Sequence, residues 1–394
     1  MKPLVVFLCV MFGSSVSASE IFVDQTHDLA KGQFIVVLSD SVQARDLARN
    51  SIYELSKTGT VKINSDWAPV ANGLVISGVD DEVAEEIAKT DGVKLVAQDF
   101  YIKPSTIQVG APQQLDRLDQ NLLPLNGQFS YQRTGAGFNT YVIDGGIRTT
   151  HQEFGGRADN IVDLTSNGPV YRGTGTMHGT GVAAIIAGAT SGVAKQALVH
   201  GVVVNTDNDI FAIGDLISGM NWVVAHGVHP AVVNLSWNPL PYSASNPTAV
   251  LIRNATNALI GAGFFVSNSI GNAATGGLAT DGCSDSISGA SGVFVVAGAE
   301  PNDHFSTNSD YGWCVSGIAE MYATTAFYNN DTTFIYQGGT SFSAPVAAGL
   351  AAVYWAAVPG IDRLQIISQI QAHCYPSVIA VPAGTPNCML RNWL

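Results

Sequence analysis

Residues 140–146 read Thr140-Tyr141-Val142-Ile143-Asp144-Gly145-Gly146, an apolar run that ends at an acid and two glycines. Similar short apolar runs recur later in the chain, at residues 198–204, 231–235 and 264–266. Stretches with apolar residues at helical spacing lie between them, at residues 179–189 and 213–225. Wholly apolar strands that alternate with helices are typical of a parallel sheet that is covered on both faces. The sequence therefore predicts an α/β fold with a doubly wound, mostly parallel sheet.

Three residues that could carry chemistry stand at predicted strand ends or helix starts. Asp144 ends the first strand, and His178 precedes Gly179-Thr180 and a helix of small residues. Ser341 lies in Gly338-Gly339-Thr340-Ser341-Phe342-Ser343-Ala344-Pro345, where we expect the proline to fall in the first turn of a helix. Each residue alone is more often a turn former, a surface residue or a cap. In doubly wound sheets, sites form where strand carboxyl ends meet helix starts, so the three together indicate a functional site.

The composition of the 394-residue chain is that of an acidic globular protein. Charged residues make up 12% and hydrophobic residues 46% of the chain, which excludes a disordered protein. The net charge of -13 argues against nucleic acid as a partner, because phosphate binding needs a basic surface. Past the N-terminus, no unbroken apolar run reaches the ~20 residues that cross a bilayer, so we expect no membrane partner.

The N-terminus predicts an export signal at residues 1–18. Lys2 supplies a positive start, an apolar core runs from Leu4 to Phe12, and Val16-Ser17-Ala18 forms a small-residue cleavage site. This order is typical of a cleaved secretory signal, and an uncleaved anchor is the alternative. We therefore expect a secreted protein, extracellular or periplasmic.

The cysteines indicate disulfide bonds. Cleavage of the signal removes Cys9 and leaves four cysteines, Cys283, Cys314, Cys374 and Cys388. An even number in an exported chain predicts disulfides, and four cysteines allow three pairings. Neither close pair has the spacing of a zinc site, so we expect no metal there.

The first hundred residues look like a separate small domain. Only one lysine, Lys195, follows residue 105. Before that point the pattern is strand, helix, strand, helix, strand, with room for one more strand between Val61 and Asn72. This order predicts an α+β sandwich with its helices on one face.

The long run from Tyr141 to Ala158, Tyr141-Val142-Ile143-Asp144-Gly145-Gly146-Ile147-Arg148-Thr149-Thr150-His151-Gln152-Glu153-Phe154-Gly155-Gly156-Arg157-Ala158, carries a family resemblance. It closely resembles the proteinase K and aqualysin branch of the subtilisin-like serine proteases, the subtilases. Leu115-Asp116-Arg117-Leu118-Asp119-Gln120 resembles the start of the mature enzymes, and Lys31-Gly32-Gln33-Phe34-Ile35-Val36-Val37-Leu38 resembles the inhibitory propeptide. The resemblance implies a propeptide domain at residues 19–105 and a subtilisin-like peptidase domain at 106–394.

The resemblance also implies the function. We expect a secreted serine endopeptidase, made as a self-processing zymogen, that acts on proteins or peptides and is inhibited by its own propeptide. Ser341 would attack the peptide carbonyl, His178 would carry the proton, and Asp144 would hold the imidazole. Asn272, in Ser267-Asn268-Ser269-Ile270-Gly271-Asn272, resembles the family's oxyanion-hole asparagine. No cofactor is required for this chemistry, and structural calcium is allowed without assigned ligands.

Several positions depart from the family pattern. Near the triad these are Gly145, Met177, Gly181, Ala184 and Phe342. The substrate-binding residues implied by the resemblance lie on two segments and are Ser236, Trp237, Asn238, Ser269, Ile270 and Gly271. Because the family commonly has glycine at position 238 and alanine at position 270, we expect Asn238 and Ile270 to narrow the first substrate pocket.

The resemblance suggests one disulfide pairing, and two other functions remain as alternatives. Cys283 with Cys314 resembles a pair of this branch, and Cys374 with Cys388 would close a short C-terminal loop. The first alternative function is a non-catalytic pseudoprotease that binds a partner with the same fold. The second is an α/β-hydrolase esterase, which would need a Gly-x-Ser-x-Gly motif and the order Ser, Asp, His, both absent around Ser341.

Overall fold

The computed structural model of the chain describes residues 21–23, 28–67, 72–101, 105–165, 176–204, 212–273, 277–376 and 379–393. The chain divides into two compact units, Met1–Lys103 and Pro104–Leu394. The predicted signal peptide at residues 1–18 lies outside the described residues. Within the described residues, no helix combines the length and the apolar character that crossing a bilayer requires.

The first unit is a five-stranded sheet with two helices. In chain order its elements are β1 (Ile21–Phe22), β2 (Asp28–Leu38), α1 (Val42–Lys57), β3 (Lys62–Asp66), β4 (Gly73–Ser77), α2 (Asp81–Ala88) and β5 (Val93–Tyr101). The strands lie in the order β1-β5-β2-β4-β3. Alternate residues of β2, Phe34, Val36 and Leu38, join Ile52 of α1 and Ile87 of α2 in one core. Because strand side chains alternate between faces, both helices cover the same face of the sheet.

The second unit is built around a large parallel sheet. Its elements are β6 (Thr106–Val109), α3 (Gln113–Asp116), β7 (Gln128–Tyr131), β8 (Asn139–Asp144), β9 (Ala158–Asp163), α4 (Met177–Ala187), β10 (Leu198–Val203), α5 (Ile213–His226), β11 (Ala231–Asn234), α6 (Pro247–Gly261), β12 (Phe265–Ser269), β13 (Phe294–Ala299), β14 (Val315–Glu320), β15 (Tyr322–Ala326), β16 (Phe334–Gly338), α7 (Thr340–Ala357), α8 (Arg363–His373), β17 (Tyr375–Pro376) and β18 (Cys388–Met389). A 3₁₀ turn spans Gly282–Ser284. The nine strands of the large sheet lie in the order β17-β18-β14-β13-β12-β11-β8-β10-β9.

Helices cover both faces of this sheet. Val142 of β8 lies in a core with residues of α4 and α7, whereas Tyr141 and Ile143 lie in a core with residues of α5 and α6. The sheet pairs are parallel except β17 with β18, which is antiparallel. The predicted α/β class with a doubly wound, mostly parallel sheet is therefore confirmed.

Strand β8 lies where the winding of the sheet reverses. The strands β10 and β11 follow one another in the chain, yet they lie on opposite sides of β8. Connections that diverge in this way leave a crevice at the carboxyl ends of the strands. Asp144 is the last residue of β8 and therefore stands at that crevice.

Two disulfide bonds join loops of the second unit to strands of the sheet. One links Cys283, in the 3₁₀ turn, to Cys314, which directly precedes β14. The other links Cys374, at the end of α8, to Cys388 in β18. The first is the pair that the resemblance implied, and the second is the pair predicted to close a short C-terminal loop, so both expected pairings are confirmed.

A buried acid marks the end of strand β14. Glu320 is only 2% exposed, and its Oε1 accepts a hydrogen bond from Gln113 Nε2 at 3.2 Å. Its Oε2 is buried without a hydrogen-bond partner among the described residues. Burial raises the pKa of the Glu320 carboxyl to about 7, although the Gln113 amide and the charge of Arg117 act in the opposite direction. Between pH 4.5 and about 7, the folded protein therefore keeps a proton on Glu320 that an exposed glutamate would release.

Glu320→Gln should change how the stability of the protein depends on pH. Because the pKa is about 7 in the folded protein against 4.5 ordinarily, the stability contributed by the protonated acid is complete below the lower value and is lost as pH rises through the higher one. Glutamine does not titrate, so the variant should gain up to ~3 kcal/mol over wild type between pH 4 and pH 8. Chemical unfolding at both pH values measures this gain. A difference between the two proteins that is independent of pH would contradict it.

Candidate active site

Asp144 and His178 form a hydrogen-bonded pair at the crevice. Asp144 Oδ2 lies 2.8 Å from His178 Nδ1, and the side chains are 1% and 18% exposed. Asp144 Oδ1 accepts a second hydrogen bond from the Gly145 N–H at 2.6 Å. Because a carboxylate only accepts, Nδ1 carries the ring proton and Nε2 of the neutral imidazole is left as a base. The pair can therefore accept a proton at Nε2 and stabilise the resulting positive ring.

A threonine that the sequence analysis did not single out supports this pair. Thr176 is the N-cap of α4, and its Oγ1 accepts from the Gly179 N–H at 3.0 Å, which places His178 in the first turn. A methyl group on Gly145 would lie 2.4 Å from Thr176 Cγ2. Thr176 therefore fills the space of a side chain at 145, and this explains the glycine there. The sequence signal that could have identified Thr176 is a threonine shortly before a predicted helix start, which is typical of an N-cap.

The His178 ring also packs against two aromatic side chains. Its centroid lies 5.3 Å from that of Trp237 and 5.8 Å from that of Phe342. The Trp237 indole is itself fixed, since its Nε1 donates to the Ile143 carbonyl at 2.8 Å. Trp237 directly follows Ser236, and Phe342 directly follows Ser341. The ring is thus packed beside both serine segments.

The departure at Gly181 is explained by the same packing. A methyl group on Gly181 would lie 2.5 Å from Gln337 Nε2 and 3.2 Å from Phe342 Cε1. A side chain at 181 would therefore require Gln337 and the neighbouring Thr325 and Phe342 to shift. The two unusual residues, Gly181 and Phe342, are thus neighbours in the structure.

Ser341 is the second residue of α7 and is partly exposed. Gly339, the residue directly before α7, has φ +140°, a conformation that favours glycine. Ser341 Oγ donates to the Ser236 carbonyl at 3.4 Å, which is a long hydrogen bond. Its own backbone N–H is one of the free donors at a helix start and can face an anion.

Pro345 leaves the Ser341 carbonyl without its helical donor, and Ser236 replaces that donor. The proline is the sixth residue of α7, so the expectation that it falls in the first turn was wrong. In a regular helix the N–H of residue 345 would donate to the carbonyl of residue 341, and proline has none. Ser236 Oγ donates to that carbonyl at 2.9 Å instead, and Asn234 Nδ2 donates to Ser236 Oγ at 2.8 Å. Ser236 adopts φ +45° in making this contact.

Asn272 is oriented by the start of the same helix. Its Oδ1 accepts from the Thr340 N–H at 2.9 Å and from Thr340 Oγ1 at 3.2 Å. Because a backbone N–H can only donate, these bonds fix which end of the amide is oxygen. The Nδ2 donors are not used in these contacts. Asn272 can therefore present Nδ2 beside the Ser341 N–H as a two-donor anion site.

The remaining predicted pocket residues lie on two facing segments, Ser236–Asn238 and Ser269–Gly271. Asn238 Nδ2 donates to the Ile270 carbonyl at 2.7 Å, and Ser269 Oγ donates to Asn238 Oδ1 at 3.3 Å. The Ile270 side chain is fully buried in the core, so its carbonyl rather than its side chain faces Asn238. Asp285 stabilises the chain just after the Ser236–Asn238 segment, since its Oδ2 accepts from the Leu240 N–H at 3.2 Å.

Metal ligands are not gathered in the described part of the chain. No group of three or more His, Cys, Asp or Glu side chains there could hold an ion. Among the acids, Glu300 accepts a hydrogen bond from Ser306 Oγ. The expectation that calcium is allowed stays a prediction.

Comparisons with known proteins point in one direction. The model of the subtilase family matches residues 135–374. An extracellular serine proteinase of Thermus sp. (strain Rt41A) is 31% identical over 89% of this chain and 82% of that protein. Proteinase T of Parengyodontium album is 28% identical over 76% of this chain and 98% of its own. A solved structure, of a cold-adapted subtilisin-like serine proteinase, gives a TM-score of 0.65 at 28% identity and covers 72% of this chain and 99% of its own.

Ser236→Ala tests whether the Ser236 hydroxyl replaces the backbone N–H that Pro345 cannot donate to the Ser341 carbonyl. The variant leaves this carbonyl with neither donor, so the free energy of unfolding should fall by ~1–3 kcal/mol. Pro345→Ala supplies a peptide N–H at the helical position, and Ser236→Ala should cost less in that background. Chemical unfolding of wild type, both single variants and the double variant measures the coupling. Equal costs in both backgrounds would show that Ser236 does not replace the helical donor.

Proposed function

The chain belongs to the subtilase family of serine endopeptidases, and we propose that Asp144, His178 and Ser341 are its catalytic triad. The observation that carries this assignment is the 2.8 Å hydrogen bond between a fully buried Asp144 carboxylate and a partly exposed His178 ring. The packing of Trp237 and Phe342 against that ring supports a fixed base beside Ser341. Subtilases need no cofactor for catalysis, and protein substrates follow from the family.

The proposed reaction is acyl transfer in two steps. Ser341 Oγ attacks the peptide carbonyl carbon as its proton passes to His178 Nε2. The same proton then goes to the leaving amine, and an ester to Ser341 remains. Water hydrolyses this ester with His178 again as the base, and Asp144 stabilises the charged ring in both steps.

The developing oxyanion would be held by Asn272 and the start of α7. The hydrogen bonds from Thr340 to Asn272 Oδ1 leave Nδ2 as the donor, and the Ser341 N–H is the second donor. The Asn272 amide is oriented by Thr340 and the Ser341 N–H belongs to α7, so both donors are set before charge develops.

We also propose that the protein is exported and made as a zymogen, with residues 19–105 as its inhibitory propeptide. Support comes from the division of the chain between Lys103 and Pro104. It also comes from β6, which begins at Thr106 and pairs with β7 inside the second unit. A cut close to Ser105–Thr106 would therefore preserve that pairing. The proposed inhibitory tail, Asp99 to Ser105, includes residues 102–104, which lie outside the described residues.

Ser341→Ala and His178→Ala should each reduce peptide hydrolysis by ~10⁴ or more, because members of a triad act as a unit. Asn272→Ala should cost ~10²–10³ in kcat with little change in KM. Both magnitudes come from other subtilases and not from this geometry. Steady-state kinetics on a chromogenic peptide, with fluorophosphonate labelling of Ser341, measures them.

Two matched controls make this test specific. His200 pairs with Asp159, also at 2.8 Å, and Ser343 lies in α7 with its hydroxyl on backbone carbonyls. His200→Ala and Ser343→Ala should keep near wild-type activity in correctly folded protein. Full activity in Ser341→Ala would exclude the mechanism, and absent labelling of the wild type would favour a pseudoprotease.

Self-processing gives a separate prediction. The wild-type precursor should mature to a protein that begins within a few residues of Thr106, because Ser341 would cut the propeptide from its own chain. The Ser341→Ala precursor should keep the segment from Ser19, whereas Ser343→Ala should mature as wild type does. Sequencing the N-terminus of each secreted product reads the result. Equal maturation of wild type and Ser341→Ala would mean that another protease makes the cut.

A further inference from the structure

The space between the segments Ser236–Asn238 and Ser269–Gly271, called here the wall gap, adjoins both groups that would hold the reacting carbonyl. The Ser236 carbonyl accepts from Ser341 Oγ, and Asn272 directly follows Gly271. On the proposed function, a peptide whose carbonyl lies between Ser341 and Asn272 directs the side chain before the cleaved bond into this gap. That residue is called P1. The contents of the wall gap therefore decide which P1 residues fit.

The Asn238 side chain bridges the wall gap. It donates from Nδ2 to the Ile270 carbonyl at 2.7 Å and accepts at Oδ1 from Ser269 Oγ at 3.3 Å. A methyl group on Gly271 would lie 3.2 Å from Asn238 Nδ2. The amide thus lies against the backbone of the facing segment, and both of its polar ends are used in joining the two walls.

Gly282 packs closely against Ile270, the residue whose carbonyl accepts from Asn238. A methyl group on Gly282 would lie 2.3 Å from the Ile270 carbonyl oxygen and 2.9 Å from Ile270 Cγ1. The neighbouring Cys283 is tied to Cys314 by a disulfide. Since the Ile270 side chain is itself packed in the core, the carbonyl that accepts from Asn238 is held in place by its surroundings.

We propose that Asn238 restricts this peptidase to substrates with a small P1 residue, namely glycine, alanine or serine. The inference rests on the proposed function and deepens it. An alanine methyl can approach without moving Asn238, whereas a larger side chain must break both hydrogen bonds that join the walls. Two lost hydrogen bonds correspond to roughly 10-fold or more in kcat/KM.

Asp310, an acid beside the wall gap, would favour a basic P1 residue in place of a small one. Asp310 Oδ2 would lie 2.5 Å from a methyl group on Gly271, and Asp310 Oδ1 accepts from the Thr280 N–H at 2.6 Å. A carboxylate there could attract a basic P1 side chain if Asn238 moved aside. The two hydrogen bonds of Asn238 favour the small P1 residue. The experiment below distinguishes a preference for small P1 residues from a preference for basic ones.

The test uses the self-processed enzyme and three peptide p-nitroanilides that differ only at P1, with alanine, phenylalanine or lysine. For wild type, kcat/KM should be at least about 10-fold higher for alanine than for either of the others. Asn238→Gly should raise the value for phenylalanine by about 10-fold or more and leave that for alanine within about threefold. Asn238→Ala should act in the same direction, which guards against a folding defect of the glycine variant.

Pro239→Ala is the matched control, because it loosens the same loop without touching the bridge. It should keep the wild-type preference for alanine. Wild type that cleaves phenylalanine as fast as alanine, or prefers lysine, would overturn the restriction. Labelling of Ser341 by a small fluorophosphonate does not depend on P1, so labelled enzyme with the wrong preference refutes this inference alone. Absent labelling refutes the proposed function and this inference with it.

Discussion

The hydrogen bond between the buried Asp144 carboxylate and His178 is the interaction on which the site depends. A second histidine of the protein, His200, has an aspartate partner at the same 2.8 Å separation, so distance alone does not distinguish a catalytic pair. The difference is burial, since the Asp159 side chain is 55% exposed and that of Asp144 is 1% exposed. An exposed carboxylate is screened by water, whereas a buried one acts on the ring at low effective dielectric. The position of Asp144 at the end of β8 supplies that burial.

Two departures from the family pattern near this pair, Gly145 and Gly181, are explained by the side chains packed against them. Gly145 is matched by Thr176, whose side chain fills the same space and caps α4. Gly181 lies next to Phe342, whose ring also packs on His178. A side chain at 145 would clash with Thr176, and such overpacking is costly in a packed interior. These residues are therefore better explained as a repacked site than as a decayed one.

The start of α7 is held by side chains from two neighbouring strand ends. Ser236 donates to the Ser341 carbonyl that Pro345 leaves free, and Asn272 accepts from Thr340. The same two segments are joined farther out by Asn238. The proposed nucleophile, its two anion donors and the residue of the proposed P1 restriction therefore belong to one set of hydrogen-bonded segments.

The sequence by itself determined the elements of this protein, its family and the candidate residues of its site. Apolar runs predicted β8 and its parallel neighbours, because secondary structure depends on nearby residues. Local patterns made Asp144, His178 and Ser341 candidates, and the family resemblance added Asn272. Only the tertiary structure decided which side chains meet. The bridge from Asn238 to Ile270, the donor from Ser236 to Ser341 and the packing of Phe342 beside Gly181 each join residues 32 to 161 positions apart. The choice of partner at such separations is made by packing and hydrogen-bond geometry, which depend on where the fold brings each backbone segment.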